Sequence, residues 1–228
     1  MNPLLLPVVA VQGIWARSRI ERLSPAGGPT TGRSGTRAGT PLRLAVLGES
    51  TAAGCGADNH EEAFAGSFAA AIGERTGRPV EWEVAGVYGA TALRIRHRVL
   101  PRLETTADIA VLLAGANDVL GRRPVADWAA DLAAIVDGLR AERVVVVGVP
   151  PFTMFPSLPG VLARYLASRA AAVDSAAREV CAARSHATWL TSTDGAPLPA
   201  GFFARDGFHP SAIGYRHWAN TIAAGLTL

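Results

Sequence analysis

Three stretches of the chain are apolar at nearly every position over the length of a strand: LRLAVLG (42–48), DIAVLLAG (108–115) and RVVVVGVP (143–150). Unbroken apolarity over so few residues describes strands covered on both faces, as in a parallel sheet. A fourth stretch, VEWEVAG (80–86), sets Val80, Trp82 and Val84 against Glu81 and Glu83, so one face is wetter and an edge position is expected. ATWL (187–190) adds a short fifth strand. Between them apolar residues recur at helical spacing: Phe64, Phe68, Ala71 and Ile72; Trp128, Leu132, Ile135, Val136 and Leu139; then Leu158, Leu162, Leu166, Val173 and Val180. Strands alternating with helices imply right-handed crossovers and an α/β protein, a three-layer α/β/α sandwich with a mostly parallel, flavodoxin-like sheet.

The pattern changes before Pro41. NPLLLPVVAVQGIW is apolar for only about a dozen residues, short of the ~20 needed to span a bilayer. No basic residue precedes it and Arg17, Arg19 and Arg22 follow it, which is not the layout of a secretory signal. A helix starting near Pro7 is expected, packed on the domain or laid on a membrane surface through residues 3–20 of a cytoplasmic protein. Residues 24–41, SPAGGPTTGRSGTRAGTP, offer almost nothing to bury and read as a flexible linker. The expected division is therefore an apolar segment over 1–23, a linker over 24–41 and one domain over 42–228, with everything before Pro41 dispensable for chemistry.

Composition narrows the function. The 228 residues and 49% apolar content can build a single sizeable core. All 22 basic residues are arginine and the net charge is only +3, a pattern of residue usage rather than a polyanion-binding design, so no nucleic-acid partner is inferred. Cys55 and Cys181 fit neither a disulfide framework nor a metal-ligand spacing. No metal or cofactor is called for.

In an open parallel sheet, ligands bind beyond the carboxyl ends of the strands, where loops converge and helix N-termini present free N–H groups. The residues met there are Gly48-Glu49-Ser50, Gly86-Val87-Tyr88-Gly89 and Gly115-Ala116-Asn117-Asp118, and after the last strand Asp206 and His209. Ester cleavage by a serine needs a base for the hydroxyl proton, a carboxylate to fix the base's tautomer, and donors where the oxyanion forms. Asp206 can hold Nδ1 of His209 while Nε2 faces Ser50. Donors are available from the N–H groups of Ser50 and Gly89 and the side-chain amide of Asn117. Asp118 reads as a cap or loop brace.

These segments resemble the four blocks of the SGNH (GDSL-type) hydrolase family in their family order: VLGESTAAGCG, VAGVYGAT, LAGANDVL and DGFHPSAIGY, spanning residues 43 to about 225. The resemblance implies Ser50 as nucleophile, Gly89 and Asn117 as oxyanion donors, and Asp206 and His209 as the remainder of a triad. Two positions depart from the family pattern. Glu49 stands where the family has Asp, which implies altered loop packing with the chemistry kept. Val84 stands where an Asn usually opens the glycine block, so the hydrogen bonds of that Asn must be replaced.

The substrate implied is a small-molecule or lipid ester. Candidates for its pocket are Cys55, Tyr88, Phe152, Met154 and Phe155; Cys55 fits equally a buried small hydrophobe, and the proline-rich loop PPFTMFPSLPG fits turn packing as well as an apolar wall. Acyl transfer to an alcohol would use the same residues as hydrolysis. A noncatalytic nucleotide-binding domain is the reading from another class: GCGADN (54–59) starts like a dinucleotide fingerprint, but Asn59 occupies the place of its third glycine.

Overall fold

The continuously apolar runs become the centre of one sheet: β2 (Leu42–Gly48), β4 (Ala107–Leu113) and β5 (Ala141–Val147), continued by β3 (Val80–Gly86) on one side and β6 (Ala187–Leu190) on the other. They belong to a computed structural model that describes residues 3–36 and 38–227, so the outermost ends of the 1–23 and 42–228 segments lie outside the described residues. A further strand, β1 (Thr31–Ser34), joins β3, and the order is β1-β3-β2-β4-β5-β6. All neighbours are parallel except β1 and β3. The fold is an α/β sandwich with helices on both faces.

Alternation along the buried strands sorts side chains into two cores. Ala45, Leu47, Ala110, Leu112, Val144 and Val146 point to one layer, which holds α5 (Val125–Gly138) and α6 (Gly160–Ala182). Leu44, Val46, Val111, Leu113, Val145 and Val147 point to the other, which holds α2 (Phe64–Thr76) and α7 (Ala212–Gly225). In that second layer Phe64 meets Trp218 edge-on at 5.0 Å between ring centroids, joining α2 to the last helix.

β1 corrects two expectations. It lies within the stretch expected to be a linker, and it removes β3 from the sheet edge. The pairing is made by backbone, with Thr31 opposite Glu83 and Ser34 opposite Val80, so it needs no apolar pattern. Glycine at position 32 permits it, because a Cβ there would stand 2.2 Å from the Trp82 ring. The first helix, α1 (Leu6–Arg19), is present where the sequence placed one and buries Val9 and Ala16 against the domain. Beyond it Leu23 packs on Ala53 and Cys55, and Glu21 pairs with Arg205 at 2.9 Å. The segment before Pro41 therefore contributes to the packed structure, and removing residues 1–38 strips a strand and a helix from it.

Register decides where the loops emerge. Gly48 is level with Gly86 and Leu113, Leu113 with Val147, and Val147 with Leu190. Five strands thus end along one line, and the segments following them share one edge.

Candidate active site

The turn after β2 is built on glycine. Gly48 has φ +155°, and a Cβ there would lie 2.0 Å from the Leu113 carbonyl oxygen, so a side chain would push β4 away. Glu49 N–H donates to that same carbonyl at 3.0 Å, and the chain then winds into a turn in which Cys55 N–H donates to the Ser50 carbonyl at 3.0 Å. Ser50 emerges at the strand end, 8% exposed.

His209 arrives from the opposite end of the chain. Oδ1 of Asp206 accepts the N–H groups of Phe208 (2.9 Å) and His209 (3.0 Å), which fixes the turn, while Oδ2 stands 2.6 Å from His209 Nδ1. On its far side His209 Nε2 lies 2.9 Å from Ser50 Oγ. Burial would raise the Asp206 carboxyl, but hydrogen bonds from the His209 ring and the two N–H groups outweigh it and hold the group below its usual range. An ionised Asp206 only accepts, so Nδ1 carries the proton, Nε2 of the neutral ring accepts, and the Ser50 hydroxyl donates to it. The ring is enclosed by Phe208 at 5.3 Å and Tyr88 at 6.0 Å between centroids. Tyr215, on α7, donates its hydroxyl to the Cys55 carbonyl at 2.7 Å and ties the helix after His209 to the turn after Ser50.

Glu49, beside Ser50, points the other way. Its carboxylate accepts from the Ala116 N–H (3.3 Å), the Asn117 N–H (3.1 Å) and the Asn117 side-chain amide (2.5 Å), at the start of α4 (Ala116–Leu120). One amide hydrogen of Asn117 is thereby engaged, which fixes the orientation of the amide and leaves its second hydrogen for another acceptor. Asp118 braces the neighbouring loop: it accepts the Ala92 N–H at 2.9 Å, at the start of α3 (Ala92–Arg94) and three residues beyond Gly89, and pairs with Arg123 at 2.8 Å. With the Val87 N–H donating to the Gly48 carbonyl at 3.1 Å, these contacts hold the glycine loop in a chain that has Val84 in place of the family's Asn. Gly89 itself is exposed and left-handed, at φ +69°.

From Ser50 and His209 a groove open to solvent runs over the ends of β4 and β5. Pro150, Pro151, Met154, Phe155, Phe202, Phe203, Phe208 and Trp218 line it, with Phe155 stacked on Phe208 at 4.7 Å between ring centroids; Ser192 and Thr193 add hydroxyls. Among the described residues no three His, Cys, Asp or Glu side chains converge to ligate a metal.

A model of the GDSL-like lipase/acylhydrolase family matches residues 46–217, a span that contains Ser50, Asn117, Asp206 and His209. The chain belongs to the GDSL-like lipase/acylhydrolase family. A GDSL-like esterase of Mycobacterium tuberculosis is 29% identical over 202 residues, 81% of this chain and 62% of that relative, so the chain spans less than two thirds of the relative's length. The structure of TesA matches with a TM-score of 0.62 at 21% identity, covering 81% of this chain and 98% of that one. A family 3 carbohydrate esterase of Clostridium thermocellum matches at 0.60 and 17% identity, covering 80% and 93%. At these identities the two structures speak for the fold.

Not every pocket candidate of this GDSL-like family member lines the groove. Met154 and Phe155 do. Phe152 is fully buried in the core beneath Phe155, and Cys55 is sealed among Leu23, Ala53, Tyr88 and Ala204, where burial pushes its thiol up to about 11. Tyr88 stands against His209 without joining the groove walls. The glycines of GCGADN are packed on protein, Gly56 against the Pro210 carbonyl, which fills the space a nucleotide diphosphate would need. Conversely, no motif marks His217, Trp218 and Thr221, which enter the groove because α7 packs over it. Glu49 as the anchor of Asn117 was visible only as a departure from the family pattern.

Burial pushes the Glu49 carboxyl up to about 7 against the pull of its Asn117 hydrogen bonds. An unfolded carboxyl releases its proton near 4.5 while the folded one keeps it to about 7, so the stability tied to protonated Glu49 is full below 4.5 and is lost as pH rises through 7. The loss approaches about 3 kcal/mol. Melting temperatures of the parent and Glu49→Gln between pH 5 and 8 test this: the parent should lose several degrees relative to the variant, and a difference constant with pH would show that Glu49 does not titrate there.

Proposed function

We propose that the protein cleaves carboxylic esters through an acyl-enzyme on Ser50. The observation that carries this reading is the unbroken hydrogen-bonded line from Asp206 through His209 to Ser50, ending at the mouth of an apolar groove. In this mechanism Nε2 of His209 takes the hydroxyl proton as Ser50 Oγ attacks the ester carbonyl, and Asp206 stabilises the imidazolium that forms. The oxyanion is met by the N–H groups of Ser50 and Gly89 and by the free amide hydrogen of Asn117. His209 then protonates the departing alcohol and activates the water that releases the acid. Removing the Asn117 donor should lower kcat by about 10² to 10³ with KM nearly unchanged, the signature of binding confined to the transition state. A change in KM alone for Asn117→Ala would make it a substrate-binding or structural residue.

The groove walls support an aliphatic acyl group. Each buried methylene is worth ~0.8 kcal/mol, about fourfold in kcat/KM, until the groove is full. The test is a series of p-nitrophenyl esters from acetyl to dodecanoyl. kcat/KM should climb over the first several methylenes, whereas a maximum at acetyl would assign the groove to something other than the acyl chain.

A further inference from the structure

Helix α1 is apolar on two opposite faces. One is accounted for: Val9 and Ala16 are buried, and Gln12 accepts the Leu162 N–H at 2.9 Å in the first turn of α6. The opposite strip, Val8, Val11, Ile14 and Trp15, follows helical spacing and is 40%, 67%, 73% and 49% exposed. An apolar helix face normally packs against apolar surroundings. Here the second side is open.

Charge identifies what covers it. Residues 1–20 contain no Asp or Glu. Arg17 and Arg19, in the last turn, are exposed and project to either side of the strip at 100° per residue. A second copy of this helix would bring no acid to meet these arginines. An anionic lipid surface would, and would accept the aliphatic strip, with Trp15 at the level of the headgroups. No helix among the described residues is long and apolar enough to cross a membrane, so the contact is one of lying on the surface. The position is relevant to the groove. α1 abuts the start of α6, directly after the loop bearing Met154 and Phe155, and the chain leaving α1 places Arg22 4.5 Å over the Tyr88 ring, which itself adjoins His209.

We infer that the outward strip of α1 docks this protein on the surface of a bilayer containing anionic lipid, beside the mouth of the groove. The docking does not depend on the chemistry assigned to Ser50.

Cosedimentation of the full chain with phosphatidylcholine vesicles, with and without phosphatidylglycerol, tests it. The parent should bind the anionic vesicles, and Ser50→Ala should bind as well as the parent. Val11→Glu with Ile14→Glu should weaken binding on the order of tenfold or more, and Arg17→Gln and Arg19→Gln about fivefold each. All of these α1 variants should keep the parent's melting temperature and its rate on a water-soluble short ester, because the replaced side chains face solvent. Absence of parent binding to anionic vesicles would overturn the inference. So would a concentration-dependent dimer in analytical ultracentrifugation that Val11→Glu with Ile14→Glu converts to monomer, which would make the strip an interface between copies.

Discussion

Ser50→Ala is expected to lower kcat/KM for ester hydrolysis by a factor on the order of 10⁴ to 10⁶ while leaving the melting temperature close to that of the parent. The removed oxygen is the one 2.9 Å from His209 Nε2, and the residue's backbone contacts in the turn are unaffected by the change. A fluorophosphonate probe should label the parent and not the variant. Turnover at half the parent rate, or labelling of Ser50→Ala, would remove Ser50 from the reaction.

The second large effect separates the base from the carboxylate behind it. His209→Ala should be nearly as damaging as loss of Ser50, because the hydroxyl then has no proton acceptor. Asp206→Asn should cost about 10⁴, since an amide can still touch the ring but favours the wrong tautomer and gives no support to the imidazolium. Asp206 also accepts two backbone N–H groups through Oδ1. The Asn oxygen can keep these, so the variant should fold and its defect should appear in kcat. Residual kcat/KM values of both variants measured beside the parent's decide the matter. An Asp206→Asn enzyme as fast as the parent would sink the assignment.

The three central strands were legible because a short, fully apolar run has few uses other than a strand covered on both sides, and β3 because Val80, Trp82 and Val84 alternate with Glu81 and Glu83. The blocks at their ends could then be placed on one edge before any coordinates, and Ser50, Asp206 and His209 do meet there within hydrogen-bonding distance. What escaped the sequence was what depends on side-to-side placement. β1 pairs through its backbone and leaves no mark on composition. Phe152 and Phe155 leave the same loop, yet one is core and the other groove, because a strand end tells that a loop emerges and not which way each residue turns. Part of the groove lining comes from α7, whose Trp218 reads as an ordinary core position until the helix is seen beside the site.

The proposed base and nucleophile are 159 residues apart in the chain. During synthesis at roughly 5–20 residues per second, Ser50 would leave the ribosome on the order of ten seconds or more before His209. Through that interval the sheet can assemble, since its last strand ends at Leu190, but the nucleophile has no base. Under the proposed mechanism a nascent chain is chemically silent until the final helix settles on α2 through Trp218 and Phe64 and Tyr215 reaches the Cys55 carbonyl. Ester turnover then reports a chain that has reached α7: a product terminated before Phe203 would be inert, however complete its sheet.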